Sequence, residues 1–379
     1  MLVLLAGAQV FAFGVWFSAS ALAPQLTAAW SLTPQQSGWL TTIVQLGFVA
    51  GTAVAAVLNL ADIIPIRSYY AASALAAAAC NAALLAVDGY VPALALRFGT
   101  GFFLAGVYPP AMKMIATWYR DGRGFAVGTI VGALTIGKAS PYLVHGLGEA
   151  SLVPVVAVAS AATVLAGLLV LAGYRDGPYP FERRPFSWGL VGAVWSNRGV
   201  RLAIGGYLGH MWELYAMWTW IAAFLAAGAG LSARAADIGA FAAIATGAAG
   251  CVIGGLLGDR MGRERLTIRS MALSGACAAV IGFFTASPAV VMVIALVWGF
   301  SIVADSAQFS TLVTELAPPH AVGTALTLQT SLGFLLTMAS IQLVPRLVEA
   351  AGWRWAFVAL AAGPVGGIWA MKRLMKLRR

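Results

Sequence analysis

Five ionisable side chains lie deep inside long apolar stretches of the chain. They are Arg97, Lys138, His210, Glu213 and Asp305. A charge at the centre of a lipid bilayer costs at least about 2.5 kcal/mol on insertion scales, so residues of this kind usually bind a solute, carry a proton or form a structural ion pair. The chemistry that these residues indicate is recognition of an ion and movement of protons.

Lys138 lies near the middle of its apolar stretch, on a polar stripe. Thr135, Lys138, Tyr142 and His145 recur at helical spacing and share one face of an otherwise apolar helix. A lysine at this depth could bind an anion, or it could be paired with an acid for structure alone. The side chains that we expect to contact a solute are Arg97, Tyr108, Lys138, Tyr142 and Gln329.

The buried acids indicate proton handling. His210 and Glu213 are spaced i, i+3 and should be neighbours on one helix face. A histidine beside a carboxylate can exchange a proton near neutral pH. Asp305 lies on a second polar track with Ser301 and Gln308. We expect Glu213, Asp305 and His210 to couple proton movement to transport; the alternative is that these polar groups only fix helix packing.

The elements that position these residues are membrane-spanning helices. Of the 379 residues, 61% are apolar and only 9% are charged, and the mean hydropathy is +0.87. A soluble domain has about a quarter charged residues, so we predict an all-α polytopic membrane protein. Segments of about 20 apolar residues suffice to span a bilayer. Twelve are predicted, at residues 2–26, 38–60, 69–87, 91–117, 125–148, 152–174, 200–226, 237–258, 267–286, 289–314, 321–345 and 354–371.

Charge placement predicts the orientation. Most of the 23 lysines and arginines fall in the connections on one side, whereas the opposite connections have only Arg234, Arg346 and Arg354. Positive connections stay inside, so both termini are expected in the cytoplasm. The net charge of +10 is typical of loops that face anionic lipid, and it does not indicate a nucleic-acid partner.

A long polar connection divides the expected spans into two sets of six. We predict an N-terminal six-helix bundle (1–174), a cytoplasmic linker (175–199) and a C-terminal six-helix bundle with a basic tail (200–379). The tetrapeptide Ala126–Thr129 at the start of the fifth span recurs as Ala321–Thr324 at the start of the eleventh. That repeat is the pattern that a duplicated unit would produce.

One connection resembles a family signature. The connection between the eighth and ninth spans reads Gly255-Leu-Leu-Gly258-Asp259-Arg260-Met-Gly262-Arg263. With twelve spans, it resembles the G-x-x-x-D-R-x-G-R-[RK] loop of the major facilitator superfamily of secondary transporters. The resemblance implies a gating role, which does not exclude a simple positive-inside turn. In this loop the residues concerned are Gly255, Asp259, Arg260, Gly262 and Arg263. The corresponding connection between the second and third spans keeps the aspartate, Asp62, but lacks the glycines.

Two further comparisons with that family concern proton coupling and the class of substrate. Arg97, Gly101 and Ala105 resemble its R-x-x-x-G-x-x-x-A pattern, which is associated with proton-coupled transporters. In drug antiporters of the family a proline follows a glycine at the depth of Gly137, where this chain has Lys138. That difference counts against drug export.

Our hypothesis is a secondary transporter that moves a small anion by proton-coupled alternating access. Buried cations in the N-terminal half and buried acids in the C-terminal half would attract across a central cleft, and a substrate or proton would change that balance. The rivals are a proton-driven exporter of cationic or neutral amphiphiles and a receptor on the same scaffold. We expect neither enzyme activity nor a bound cofactor or metal. We also expect the protein to be a monomer in a bacterial inner membrane.

Overall fold

The structure is a computed structural model that describes residues 1–119, 122–148, 151–179 and 187–378, apart from the side chains of Asp62 and Arg123. The gating prediction for Asp62 therefore lies outside the described side chains. All regular elements in these ranges are helices.

Nineteen α-helices occur in the described ranges. They are α1 (Leu2–Ala12), α2 (Gly14–Ala21), α3 (Ala23–Trp30), α4 (Pro34–Val57), α5 (Leu60–Ile63), α6 (Ile66–Ala82), α7 (Tyr90–Leu104), α8 (Tyr108–Ala116), α9 (Arg123–Leu147), α10 (Leu152–Gly173), α11 (Val191–Ser196), α12 (Arg198–Ala223), α13 (Ala233–Met261), α14 (Arg263–Val280), α15 (Pro288–Val303), α16 (Ser306–Leu316), α17 (Val322–Ala351), α18 (Trp353–Ala356) and α19 (Ala362–Leu377).

Eleven helical segments within the described residues are long and apolar enough to cross a membrane. The segment expected at 200–226 is not among them. It corresponds to α12, whose 26 residues would extend about 39 Å at 1.5 Å per residue. Its polar and indole side chains reduce its hydropathy, although its length suffices. The count of twelve spans thus stays a prediction, as does the cytoplasmic location of the termini.

Three of the crossing segments are broken near their middle. The first breaks at Phe13, between α1 and α2. The fourth breaks around Gly106, before prolines at the start of α8. The segment that contains Asp305 breaks at that residue, between α15 and α16. Backbone irregularity inside a membrane is tolerated only where protein or a polar cavity surrounds it, so these breaks mark the interior as the place for polar chemistry.

Glycines allow α4 and α7 to pack closely. A Cβ atom on Gly101 would overlap the carbonyl of Val44, and one on Gly47 would overlap the carbonyl of Phe98. Small residues at four-residue spacing let two backbones approach in this way. The glycine of the R-x-x-x-G-x-x-x-A pattern therefore has a packing role, which places Arg97 against the first two crossing segments.

Two pairs of long helices join the halves of the sequence: α9 packs on α13, and α4 packs on α17. A Cβ atom on Gly255 would lie 2.6 Å from the carbonyl oxygen of Gly124, so the first pair meets backbone to backbone. In the second pair, the rings of Phe48 and Phe334 lie 4.8 Å apart. We use N-terminal half for residues 1–174 and C-terminal half for residues 200–379; their status as separate bundles stays a prediction.

Candidate functional site

Lys138 lies inside a cluster of aromatic rings contributed by both halves. Its Nζ atom is 4.2 Å from the ring centroid of Trp16 and 4.6 Å from that of Tyr215. The rings of Phe13 and Trp218 are each 5.4 Å away. The lysine is only 2% exposed. We call these four rings the aromatic cluster; they hold the ammonium group by cation-π contacts.

This ammonium group has few hydrogen-bond acceptors. Among the described residues its one hydrogen-bond partner is the hydroxyl oxygen of Tyr215, and no carboxylate pairs with it. An ammonium group has three N–H donors, so two are left for another acceptor. Within the described ranges, the buried indole N–H groups of Trp16 and Trp218 also lack an acceptor. The immediate surroundings of Lys138 among the described residues therefore offer several hydrogen-bond donors and few acceptors.

The two predicted tyrosines lie near this cluster. Tyr142, one turn after Lys138, donates its hydroxyl to the carbonyl of Trp218 at 3.2 Å and so joins the two halves. Tyr108 is half-buried, and its ring meets Phe13 edge to face at 6.3 Å. The structure thus brings Lys138, Tyr142 and Tyr108 to one region.

Gln329 lies apart from the contacts of Lys138. Its Nε2 donates to Ser310 Oγ at 3.3 Å, on α16 of the same half. Its buried Oε1 atom has no hydrogen-bond partner in the part of the chain that the structure describes. The predicted substrate role of Gln329 is untested, and the structure gives it no direct contact with the aromatic cluster among the described residues.

The predicted substrate contact of Arg97 is untested, but its hydrogen bonds to other parts of the protein are extensive. Its guanidinium donates to the carbonyl of Val15 at 2.6 Å, to that of Leu40 at 3.2 Å and, at close range, to that of Trp16. It also donates to Ser18 Oγ at 3.2 Å. All of these partners belong to the N-terminal half, and the side chain is completely buried. The structure favours a positioning role, in which Arg97 ties α7 to the first two crossing segments.

The expected pair of His210 and Glu213 is not formed among the described residues. Glu213 instead accepts hydrogen bonds from Trp298 Nε1 at 2.6 Å and Ser274 Oγ at 2.8 Å. Both donors come from neighbouring helices, whereas spacing along α12 could only suggest a neighbour on the same helix. Glu213 is 1% exposed, so its carboxyl group is buried inside the C-terminal half, and its predicted proton role stays a prediction.

His210 pairs with Asp305 instead. The Nδ1 atom lies 2.9 Å from Asp305 Oδ1, and the Nε2 atom lies 2.9 Å from Ser306 Oγ. Both partners lie where α15 gives way to α16, so the break in that segment places the carboxylate beside the imidazole nitrogen. All members of this cluster belong to the C-terminal half. The expected attraction between buried charges of opposite sign across the halves is therefore absent from the described contacts of Lys138 and Asp305.

The signature loop forms a charged network on the face where α13 ends. Arg263 contacts Asp259 at 3.2 Å, Glu315 at 2.8 Å and Gln308 at 2.8 Å. Gly262 has φ +89°, a backbone conformation that other residues adopt only with strain. These contacts border a cavity of about 400 Å³ and lie within the C-terminal half. Arg260 is exposed.

A second polar cluster was missed as a site. His145 Nδ1 lies 2.6 Å from Asp237 Oδ2, and its Nε2 lies 2.6 Å from Nε2 of Gln25. The sequence pattern placed His145 on the stripe of Lys138 but gave no reason to pair it with α13. The ring partners of Lys138 were likewise interpreted as packing residues, because tryptophan in a membrane protein usually is.

Long helices, buried charges and close helix pairs of this kind are typical of multi-pass transporters. The chain belongs to the Major Facilitator Superfamily, whose family model matches residues 4–341. It is therefore an integral multi-pass membrane protein with a transporter fold.

Solved structures agree with that assignment. A mutant form of the nucleoside transporter NupG has a TM-score of 0.75 at 15% identity, covering 98% of this chain and 99% of its own. A bacterial homologue of the human lysosomal transporter Spinster, described as inward-facing and unoccupied, has a TM-score of 0.75 at 17% identity, covering 99% and 97%. At these identities the likeness shows the fold alone. No curated protein matches the chain.

Proposed function

We propose that the protein is a proton-coupled secondary transporter of a small anion, and that Lys138 binds the anion. The observation that carries this proposal is a buried ammonium group that has no carboxylate partner among the described residues and is surrounded by rings from both halves. A buried charge without a counter-ion is costly, and a substrate anion would supply one.

The donors around Lys138 support an anion rather than a cation. Two indole N–H groups, from Trp16 and Trp218, belong to rings around the ammonium and have no acceptor among the residues that the structure describes. A carboxylate or phosphate oxygen accepts such hydrogen bonds, and hydrogen bonds to charged groups are worth about 1.5–3 kcal/mol. The aromatic walls would in addition accommodate an apolar part of the anion.

Alternating access follows from where these contacts lie. Lys138 and Tyr142 belong to the N-terminal half, whereas Tyr215 and Trp218 belong to the other half. If residues 1–174 and 200–379 move as two bundles with cytoplasmic termini, separation at either face would expose Lys138 to that side. An anion that neutralises Lys138 would change the energy of these cross-half contacts and so couple binding to movement.

The C-terminal half supplies the proposed proton sites. Two buried acids have defined partners: Asp305 pairs with His210, and Glu213 accepts hydrogen bonds from Ser274 and Trp298. Glu213 lies one turn of α12 after His210. Uptake of a proton by the pair of His210 and Asp305 would change the charge buried in the C-terminal half. We propose that these three residues couple a proton to the anion.

The role of Lys138 can be tested by binding to the purified protein. Benzoate, lactate and phosphate serve as anion probes, and tetraethylammonium serves as the cation probe, each titrated by thermal shift. We expect at least one anion to stabilise the protein, and Lys138→Met to weaken its affinity about 100-fold, because one charge-assisted contact of about 2.7 kcal/mol is lost. The matched control is Lys113→Met, whose side chain reaches the carbonyl of Ala61 instead, and it should bind as the parent does.

Equal anion binding by the parent and Lys138→Met would overturn the assignment of Lys138 as the anion-binding residue.

One observation favours the rival function, export of cationic amphiphiles. The four rings of the aromatic cluster would attract a cation if the Lys138 side chain moved away from them. Stabilisation by tetraethylammonium and by none of the anions would therefore support export of cationic amphiphiles.

Proton coupling has its own test in proteoliposomes. Asp305→Asn retains a hydrogen-bonding group for His210 but cannot carry a proton. We expect loss of anion accumulation driven by a pH gradient, roughly tenfold or more, with exchange of labelled for unlabelled anion preserved. Glu349→Gln, which removes an exposed carboxylate, is the matched control. Unchanged gradient-driven accumulation in Asp305→Asn would contradict the proton role.

A further inference from the structure

A histidine and an aspartate join the two halves near one end of the helix pair α9 and α13. His145 lies in the last turn of α9, and Asp237 lies near the start of α13. Their Nδ1 and Oδ2 atoms are 2.6 Å apart, and the two residues are 4% and 8% exposed. This end of the helices is the face that we predict to be extracellular. A buried contact of this kind can exist only while the halves meet there.

Gln25 of α3 completes the cluster on the other side of the imidazole. Its Nε2 atom lies 2.6 Å from His145 Nε2. A side-chain amide has a donor group and an acceptor oxygen, which exchange places on a half-turn of its last bond. Gln25 can therefore donate to a neutral imidazole or accept from an imidazolium. Both charge states of His145 can be hydrogen-bonded at both ring nitrogens.

We propose that His145, Asp237 and Gln25 form a proton-binding latch that holds the predicted extracellular face closed. The ligand of this site is a proton. The latch is separate from the substrate contacts at Lys138 and from the buried acids of the C-terminal half. It requires only that the halves part at this face, so it stands or falls independently of the anion.

Few other ionisable groups lie near His145 and Asp237. On α9, Tyr142 and Lys138 lie one and two turns below, and on α13 the exposed Arg234 lies one turn before Asp237. Helices α1, α2, α10 and α15, which also pack on this pair, have no ionisable side chain. Helix α3, which contributes Gln25, has none either. Among the described residues, the ionisable groups of the remaining neighbours form no hydrogen bond or ion pair with His145 or Asp237; they are Tyr108 and Lys113 of α8, Tyr207, His210, Glu213 and Tyr215 of α12, the charged residues of α14, and Glu315 of α16.

Protonation of His145 changes the latch from a neutral hydrogen bond to a charge-assisted one. N–H donors on a cation make shorter and stronger bonds to carboxylates than neutral donors do. Because this bond exists only in the closed arrangement, closure favours proton binding, and by reciprocity proton binding favours closure. The latch is thus expected to hold at low pH and to loosen as the pH rises, with a change in the open-to-closed ratio on the order of tenfold.

The test measures the separation of the halves directly, without substrate. The three free cysteines, Cys80, Cys251 and Cys277, are first replaced by alanine. Spin labels are then attached at Ala29→Cys and Ala286→Cys, two exposed positions on the same face in the two halves. We expect the distance distribution to shift toward the longer population between pH 5.5 and pH 8. His145→Gln and Asp237→Asn, which retain a polar partner but cannot form the charged pair, should remove that shift.

His320→Gln is the matched control, because His320 is exposed and lies outside the latch. It should retain the full pH response. A parent protein whose distance distribution is the same at both pH values would overturn the proposal. So would a pH response that persists in His145→Gln, since the response would then belong to His210 and Asp305. If His145→Gln is not recovered folded, persistence in Asp237→Asn decides the question in the same way.

Discussion

Two buried cations of the N-terminal half have opposite surroundings. Arg97 donates five hydrogen bonds, all within its own half. In the described ranges, Lys138 has one oxygen partner, Tyr215 of the other half, and it contacts rings from both halves. Both side chains are buried and carry a positive charge, but they differ in how many hydrogen bonds they make and in which half supplies their partners. A saturated charge inside one half fixes structure, whereas an under-satisfied charge between halves is available to a ligand.

The largest expected effect tests the structural side of this contrast. Arg97→Met would leave the carbonyls of Val15 and Leu40 without the guanidinium and would open space in a completely buried region. We expect a loss of about 3 kcal/mol or more in the free energy of unfolding. Arg97→Lys should restore little, because one ammonium nitrogen cannot reproduce a planar fork that spans several acceptors. Thermal unfolding of the purified variants measures the effect.

Arg67→Met provides the control for this experiment. Arg67 is exposed, so its replacement should change the free energy of unfolding by less than about 0.5 kcal/mol. The contrast would break if Arg97→Met were as stable as the parent but failed to bind the anion. Arg97 would then belong to the substrate path, as its depth alone had predicted.

The fold could be predicted from sequence because the bilayer allows few alternatives. Solid apolar runs without strand alternation permit only helices, and the signature loop at Asp259 identified the family. The breaks at Phe13 and Asp305 were not predicted. Neither position has a proline of its own, and a helix interrupted by surrounding protein contacts leaves no local pattern.

The sequence could predict which side chains share a face of one helix, but not which side chains of other helices contact them. Angular spacing correctly put Lys138 and Tyr142 on a shared face, but it could not show which residues of other helices face them. His210 illustrates the limit, because the expected neighbour along α12 was Glu213 and the actual partner is Asp305 on another segment. Trp218 likewise lies far from Lys138 along the chain, and only the packing of the two halves brings its ring close.

The smaller expected effect sharpens the ligand-binding side of the contrast. Tyr215→Phe removes the one hydroxyl that holds Lys138 and retains the ring for its cation-π contact. The free protein should lose about 1.5–3 kcal/mol of cross-half stabilisation, while the ammonium becomes more available. Because a larger fraction of the protein is then competent to bind, anion affinity should rise, by up to about tenfold. Titration of the anion that stabilises the parent measures this, with Tyr179→Phe, at an exposed tyrosine, as the control. A fall in affinity would instead indicate that the Tyr215 hydroxyl itself contacts the anion, and Lys138 would then share its ligand with the C-terminal half.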